Sequence, residues 1–149
     1  MYCTDGVRDA LSSLSRSADK GKEALKALQS GAKDDTTSFF LQMNFKVGAE
    51  KMASSIAEAV APRHAGSSSE VEELKELIFN GVSSKGAAVK GTTFQFDCSA
   101  EGINVKVDGQ DQGSVPSSAL AKSFCDVYLD DKAVSPTLRT SCLDNCCAP

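Results

Sequence analysis

From Thr37 to Val47 the chain alternates. Thr37, Phe39, Leu41, Met43, Phe45 and Val47 fall on one parity, and Ser38, Gln42, Asn44 and Lys46 fall mostly on the other. A period of two reads as a strand with one buried face, and Gly48 is expected to break it. The period then changes. Met52, Ile56 and Val60 (or Ala59) stripe a helix that Pro62 ends, and Val71, Leu74, Leu77, Ile78 and Val82 stripe a second. Ser69 with Glu72 has the spacing of a capping box. Asn80-Gly81 is expected to loosen or end this helix, and 83–91 reads as a small-residue linker.

The next stretch is all strand. Phe94, Phe96 and Cys98 alternate with Thr93, Gln95 and Asp97, and Ile103, Val105 and Val107 follow after a turn. Asp108-Gly109 is a hairpin signal, and a third strand over 112–115 closes a meander. Ser117 or Ser118 caps a helix with Leu120, Phe124, Val127 and Tyr128 inward, stopping near Asp130-Asp131. Ser135 then serves as N-cap with Pro136 at the first helical position, and Leu138 and Cys142 face inward. Before the first strand, Asp5 caps a helix with Val7, Leu11 and Leu14 on one face. A second helix spans 21–30 with Ala24, Leu25 and Leu28. The order reads as one α+β domain over 1–149 with an antiparallel sheet.

Charge narrows the partners. The 149 residues carry a net charge of −4, with no Trp and no basic cluster, which argues against a nucleic-acid partner. No run approaches bilayer-spanning length, and the acids at Asp5 and Asp9 do not suit a leader peptide. The chain reads as soluble and intracellular. Of six cysteines none forms a CxxC pair, and His64 is the sole histidine, so no metal site and no cofactor are expected. Cys98 and Cys125 read as buried free thiols, and the acids 70, 72, 73 and 76 as a solvated face. His64 reads as a solvated loop histidine. Ser17 and Lys20 match S-x-x-K without its companion motifs, the terminal CCAP matches a prenylation signal in form only, and no phosphate-binding loop or nucleophile elbow occurs. The residues by themselves offer no active site.

The segment KGTTFQFDCSAEGINVKVDGQDQGSVPSSALAKSFCDVYLDDKAVSPTLR resembles the chalcone isomerase-like family. The shared features are a V-x-V-D-G hairpin, a short G-S-V strand, a helix ending V-Y-L, an acidic loop and a V-S-P corner. FFLQMNFKVGAEKMASSIAEAVAPR resembles the same family's central strand and next helix. The resemblance implies an open-faced β-sandwich, an antiparallel sheet with helices on one face and an apolar cleft between them. The family's early strands are expected to be missing here, with Met1-Tyr2-Cys3 as the tail of one. Family members either close chalcones to flavanones or bind fatty acids and assist other enzymes without catalysis.

The Tyr, Lys and Asn of the isomerases fall near Lys51, Ser54 and Glu58, and their late hydroxyl near Val127. None keeps its type, so no catalytic residue is expected. The resemblance therefore implies non-catalytic binding of a small apolar ligand, a fatty acid or a flavonoid-like molecule. Phe39, Leu41, Met43, Phe45, Met52, Ile56, Phe124 and Tyr128 would line the site, with Lys46 as a solvated rim lysine. The alternatives are an intramolecular lyase of the chalcone isomerase type and an auxiliary scaffold protein. A plastid address would follow if a targeting segment precedes this chain.

Overall fold

The computed structural model describes residues 2, 3, 5 and 36–146; the two helices expected over 5–14 and 21–30 lie, beyond Asp5, outside them. The elements are β1 (Tyr2–Cys3), β2 (Thr36–Gln42), β3 (Val47–Gly48), α1 (Ala49–Val60), α2 (Ser68–Ser83), β4 (Ala87–Ala88), β5 (Thr93–Ser99), β6 (Gly102–Val107), β7 (Gln110–Val115), α3 (Ser118–Leu129) and α4 (Pro136–Cys146). A five-stranded antiparallel sheet has the order β1-β2-β5-β6-β7, and β3 and β4 form a separate small ladder. This is the α+β architecture expected from the sequence, and Tyr2–Cys3 does form an edge strand, pairing with Thr37 and Ser38.

The register sorts the side chains. Thr37, Cys98, Ile103 and Val115 make one inward row, and Phe39, Phe96 and Val105 the next. The opposite face carries Ser38, Asp97, Asn104 and Ser114. Asp97 there accepts hydrogen bonds from Ser38 and Gln95. Among the described residues the helices cover the inward face: α2 lies over β6 and β7, α3 over β5 and β6, and α1 packs against both helices. One sheet face is thus buried and the other solvated, the usual division for an antiparallel sheet.

The meander forms as its turn chemistry dictates. Asp108 and Gly109 both take positive φ, 49° and 78°, as a two-residue primed turn requires. The Asp108 carboxylate also accepts from Thr93 N at 2.9 Å and pairs with Lys85.

Several expectations need correction. Strand β2 stops at Gln42, not Val47. Met43 then exchanges backbone hydrogen bonds with Gly91 and Thr92, and the chain bends at Asn44-Phe45 before β3. The alternation in sequence continues across the bend but no longer maps onto a sheet face. Gly48 does not break a strand so much as hand it to α1, as the N-cap residue. The cap of α2 is Ser67, whose Oγ accepts from Ser69 N, rather than Ser69. Asn80-Gly81 does not end α2, which continues to Ser83. A Cβ at Gly81 would run into the Val107 side chain, so the glycine is there for close approach of helix and sheet. The 83–91 linker contains β4, whose two alanines are buried.

The corner after α3 is a clasp. Arg63 donates through Nε and Nη2 to the two carboxylate oxygens of Asp130, at 2.7 and 3.2 Å, and through Nη1 to Ala59 O. The Arg63 guanidinium holds the Asp130 carboxyl below its ordinary pKa. Asp130 therefore does more than stop a helix: it ties the turn after α1 to the start of the last corner.

The sign of its pH effect follows. A carboxyl with a depressed folded pKa contributes stability that is present above its unfolded value of about 3.9. That stability is lost as pH falls through the folded value. With the side chains 16% and 30% exposed, D130N is expected to lower the unfolding free energy by about 1–2 kcal/mol at neutral pH. In urea titrations of both proteins the gap should shrink as pH falls below the unfolded value of about 3.9 and close only below the depressed folded value; a gap that stays constant as the pH is lowered would contradict the assignment.

Candidate functional site

The inward rows of β2 and β5 meet the inner side of α3 in an aromatic seam. Phe39 stacks on Tyr128 with centroids 5.1 Å apart, and Phe124 lies 4.4 Å from Phe96 and 5.6 Å from both Phe39 and Tyr128. Phe124 and Tyr128 are one helical turn apart, so they share a face, and the pairing of Phe39 with Phe96 sets two rings beneath them. Met52 and Ile56 of α1 belong to the same buried cluster, and Leu41 and Met43 pack against it half-buried.

Seven of the eight residues expected to line a ligand site are therefore in or against one apolar body. Phe45 is not. It stands 67% exposed on the bend, because the strand that would have turned it inward has already ended. Phe96 belongs to the seam and was not among the expected lining, although its parity with Phe94 and Cys98 marks it as inward.

Tyr128 is the polar member of the seam. It is 8% exposed, and burial pushes its phenol up to about 12. Its ring contacts are Phe39 and Phe124, and its hydroxyl makes no hydrogen bond to a described residue. A tyrosine buried among rings ordinarily finds a partner for its hydroxyl. Here the site presents a protonated donor at the end of an apolar body. Behind it, Cys98 and Cys125 are buried free thiols, and burial, with the contact to Cys125, raises the Cys98 thiol well above its usual range.

The positions where isomerase chemistry would sit face elsewhere. The buried side of α1 is Ala49, Met52, Ala53, Ile56, Ala57 and Val60. Lys51 and Glu58 are exposed, and Ser54 donates to Glu50 along the outer side of the helix. Val127 is buried and aliphatic.

His64 also needs correction. Its side chain is 2% exposed, with Nε2 2.7 Å from Glu70 Oε2 but off the line of a hydrogen bond. Nδ1 lies 3.4 Å from Ser123 Oγ. Ser117 Oγ donates to the same Glu70 oxygen at 2.8 Å. A Cβ at Gly66 would press on both the imidazole and that carboxylate, so the glycine lets the pair close. The contacts run serine, histidine, carboxylate, yet Ser123 is 3% exposed and engages Ala119 O and Arg63 O. A nucleophile needs access to its substrate, so the cluster joins α2 to α3 rather than forming a hydrolytic site.

A concavity of about 430 Å³ lies away from the seam, at the Ser99–Gly102 end of the sheet, lined by residues including Thr36, Asp97, Glu101, Asn104 and Ser114. None of its described lining residues is basic, so they offer no cation for a carboxylate ligand. Among the described residues no three metal-ligating side chains cluster, and no helix is long and apolar enough to cross a membrane.

Comparison with known proteins gives the same architecture. Residues 17–144 match the family model described as chalcone isomerase-like. Among solved structures, the fatty-acid binding protein AtFAP1 of Arabidopsis thaliana superposes with a TM-score of 0.72 at 20% identity, over 95% of this chain and 73% of that one. At that identity the likeness is one of fold. No curated protein matches the chain.

Proposed function

Since this chain belongs to the chalcone isomerase-like family, we propose that it is a non-catalytic member that binds a fatty acid or a similar apolar ligand with one oxygen-bearing end. The observation that carries this reading is the Tyr128 hydroxyl, a protonated donor with no hydrogen bond to a described residue, carried on a ring that stacks in the aromatic seam. A carboxylate or carbonyl oxygen would complete it. Phe39, Phe124 and Ile56 supply apolar contact. Met43 and Met52 supply walls whose unbranched side chains adjust without a backbone shift. The fold likeness to a fatty-acid binding protein supports the same ligand class.

Catalysis is not part of the proposal. Ring closure of a chalcone requires a positioned donor set and a cation at the reacting oxygens. On α1 the polar residues at the corresponding places point away from the seam, as Lys51, Ser54 and Glu58 show.

The test is calorimetric titration of the full chain with a long-chain fatty acid, beside Y128F. Saturable one-to-one binding is expected, and Y128F should weaken it about tenfold or more, the worth of one hydrogen bond to a charged acceptor. Because the phenol keeps its proton until pH nears about 12, the difference between the two proteins should persist across neutral and mildly alkaline pH. No saturable binding by the unaltered chain would overturn the reading, and equal affinity in Y128F would remove Tyr128 from it.

A further inference from the structure

Two loops meet at the Gln42 end of the sheet. The bend at Asn44-Phe45-Lys46 is anchored on one side by Met43, bonded to Gly91 and Thr92, and on the other by Val47, paired with Ala88. The turn at Val89-Lys90-Gly91 is anchored by the same partners and closed by Thr92 N to Val89 O at 2.9 Å. The two tips are thus held side by side by backbone hydrogen bonds. Each carries one exposed apolar side chain and one exposed lysine. Phe45 is 67% exposed and Val89 43%, and Lys46 and Lys90 are both exposed.

No acid lies within either tip. Among the described residues, the nearest acids along the chain are already engaged: Glu50 pairs with Lys75, and Asp97 pairs with Lys106. Lys46 and Lys90, like Lys51 and Lys132, form no ion pair with a described residue, whereas Lys75, Lys85, Lys106 and Lys122 each have a carboxylate. An acidic protein of net charge −4 therefore presents one end that is locally basic and apolar at once.

We infer that this double tip docks on a lipid bilayer surface carrying anionic headgroups, with Phe45 and Val89 entering the interface and Lys46 and Lys90 against the phosphates. The chemistry is that of interfacial anchors: apolar side chains entering the headgroup region and basic ones attracted to negative lipid. A protein partner fits less well. A stable protein interface wants about 800 Å² from each side, and one phenylalanine and one valine on adjacent tips fall far short of that. A bilayer needs only a few inserted side chains and a few charges. The inference stands whether or not the aromatic seam takes a ligand.

The chain has no tryptophan, so F45W places a single indole at the tip. Its emission should shift to the blue with vesicles of mixed phosphatidylcholine and phosphatidylglycerol and stay unshifted with phosphatidylcholine alone. Adding K46Q and K90Q should lower partitioning by about fivefold for each lysine removed, and high salt should do the same to the parent. Flotation of the unaltered chain with the same vesicles poses the question without any substitution. Binding that is anionic-lipid dependent and lost in the glutamine variants supports the inference. No shift and no flotation with anionic vesicles, equal binding to neutral ones, or binding indifferent to K46Q/K90Q would overturn it.

Discussion

Replacing Phe124 by alanine is expected to lower the unfolding free energy by about 3–5 kcal/mol, the range for emptying a buried phenylalanine site. The residue is fully buried and touches three other rings, those of Phe39, Phe96 and Tyr128. No neighbour is free to collapse into the gap. Phe39 and Phe96 are held by strand pairing, and Tyr128 is on the same helix. Aromatic contacts of this kind add to the area term. For a chain of this length the change corresponds to a fall in Tm of roughly 10 °C or more. Calorimetry of F124A checks it, with F124L as the milder control that keeps most of the volume. A loss under about 1 kcal/mol would mean that the seam is loosely filled.

The second large effect is expected at Gly102. Its φ is +140°, and a Cβ there would strike the Val115 carbonyl oxygen and come within 2.9 Å of Ser117 N. Those atoms are backbone at the junction of β7 and α3, so no side chain can swing aside. Strain at a glycine-only conformation and forced overpacking each cost about 1–3 kcal/mol, so G102A should destabilise by roughly 2–4 kcal/mol. Gly109 is the contrast. Its φ is +78° but nothing lies within 4 Å of a Cβ there, so G109A should cost only about 1 kcal/mol. Parallel urea titrations of G102A and G109A decide the matter, and equal losses would refute the steric part of the argument.

The fold was readable wherever local chemistry and burial agree. The stripe of α2 works because Val71, Leu74, Ile78 and Val82 are all buried. The hairpin works because Asp108 and Gly109 can take positive φ. The seam was half readable. Phe124 and Tyr128 followed from helical period and Phe39 from strand period, and the resemblance brought them to one cleft.

What escaped was set by tertiary partners. Phe45 keeps the parity of a strand residue, but the strand ends when Met43 turns its backbone to Gly91 and Thr92. His64 looked like a loop residue after a proline, because its partners sit on two other elements, Glu70 on α2 and Ser123 on α3. Gly81 looked like a helix breaker, because the need for it comes from Val107 on the sheet. Arg63 gave no signal at all, since its carboxylate partner is 67 positions away.

The sheet order has a kinetic side. β5, β6 and β7 pair with immediate neighbours in sequence, and α1 and α2 pack as a consecutive helical pair. Both units can assemble from local contacts. The β2–β5 ladder cannot, because all of α1, α2, β3 and β4 lies between its strands. Closing that loop before its contacts form carries an entropic barrier, and pairings distant in sequence slow folding. The strand that supplies Phe39 should then be the last part of the core to lock. Until it does, the faces of Phe96 and Phe124 that Phe39 would cover stay open to other chains. The span of folding during which this protein is most prone to aggregate is thus written into the position of one strand.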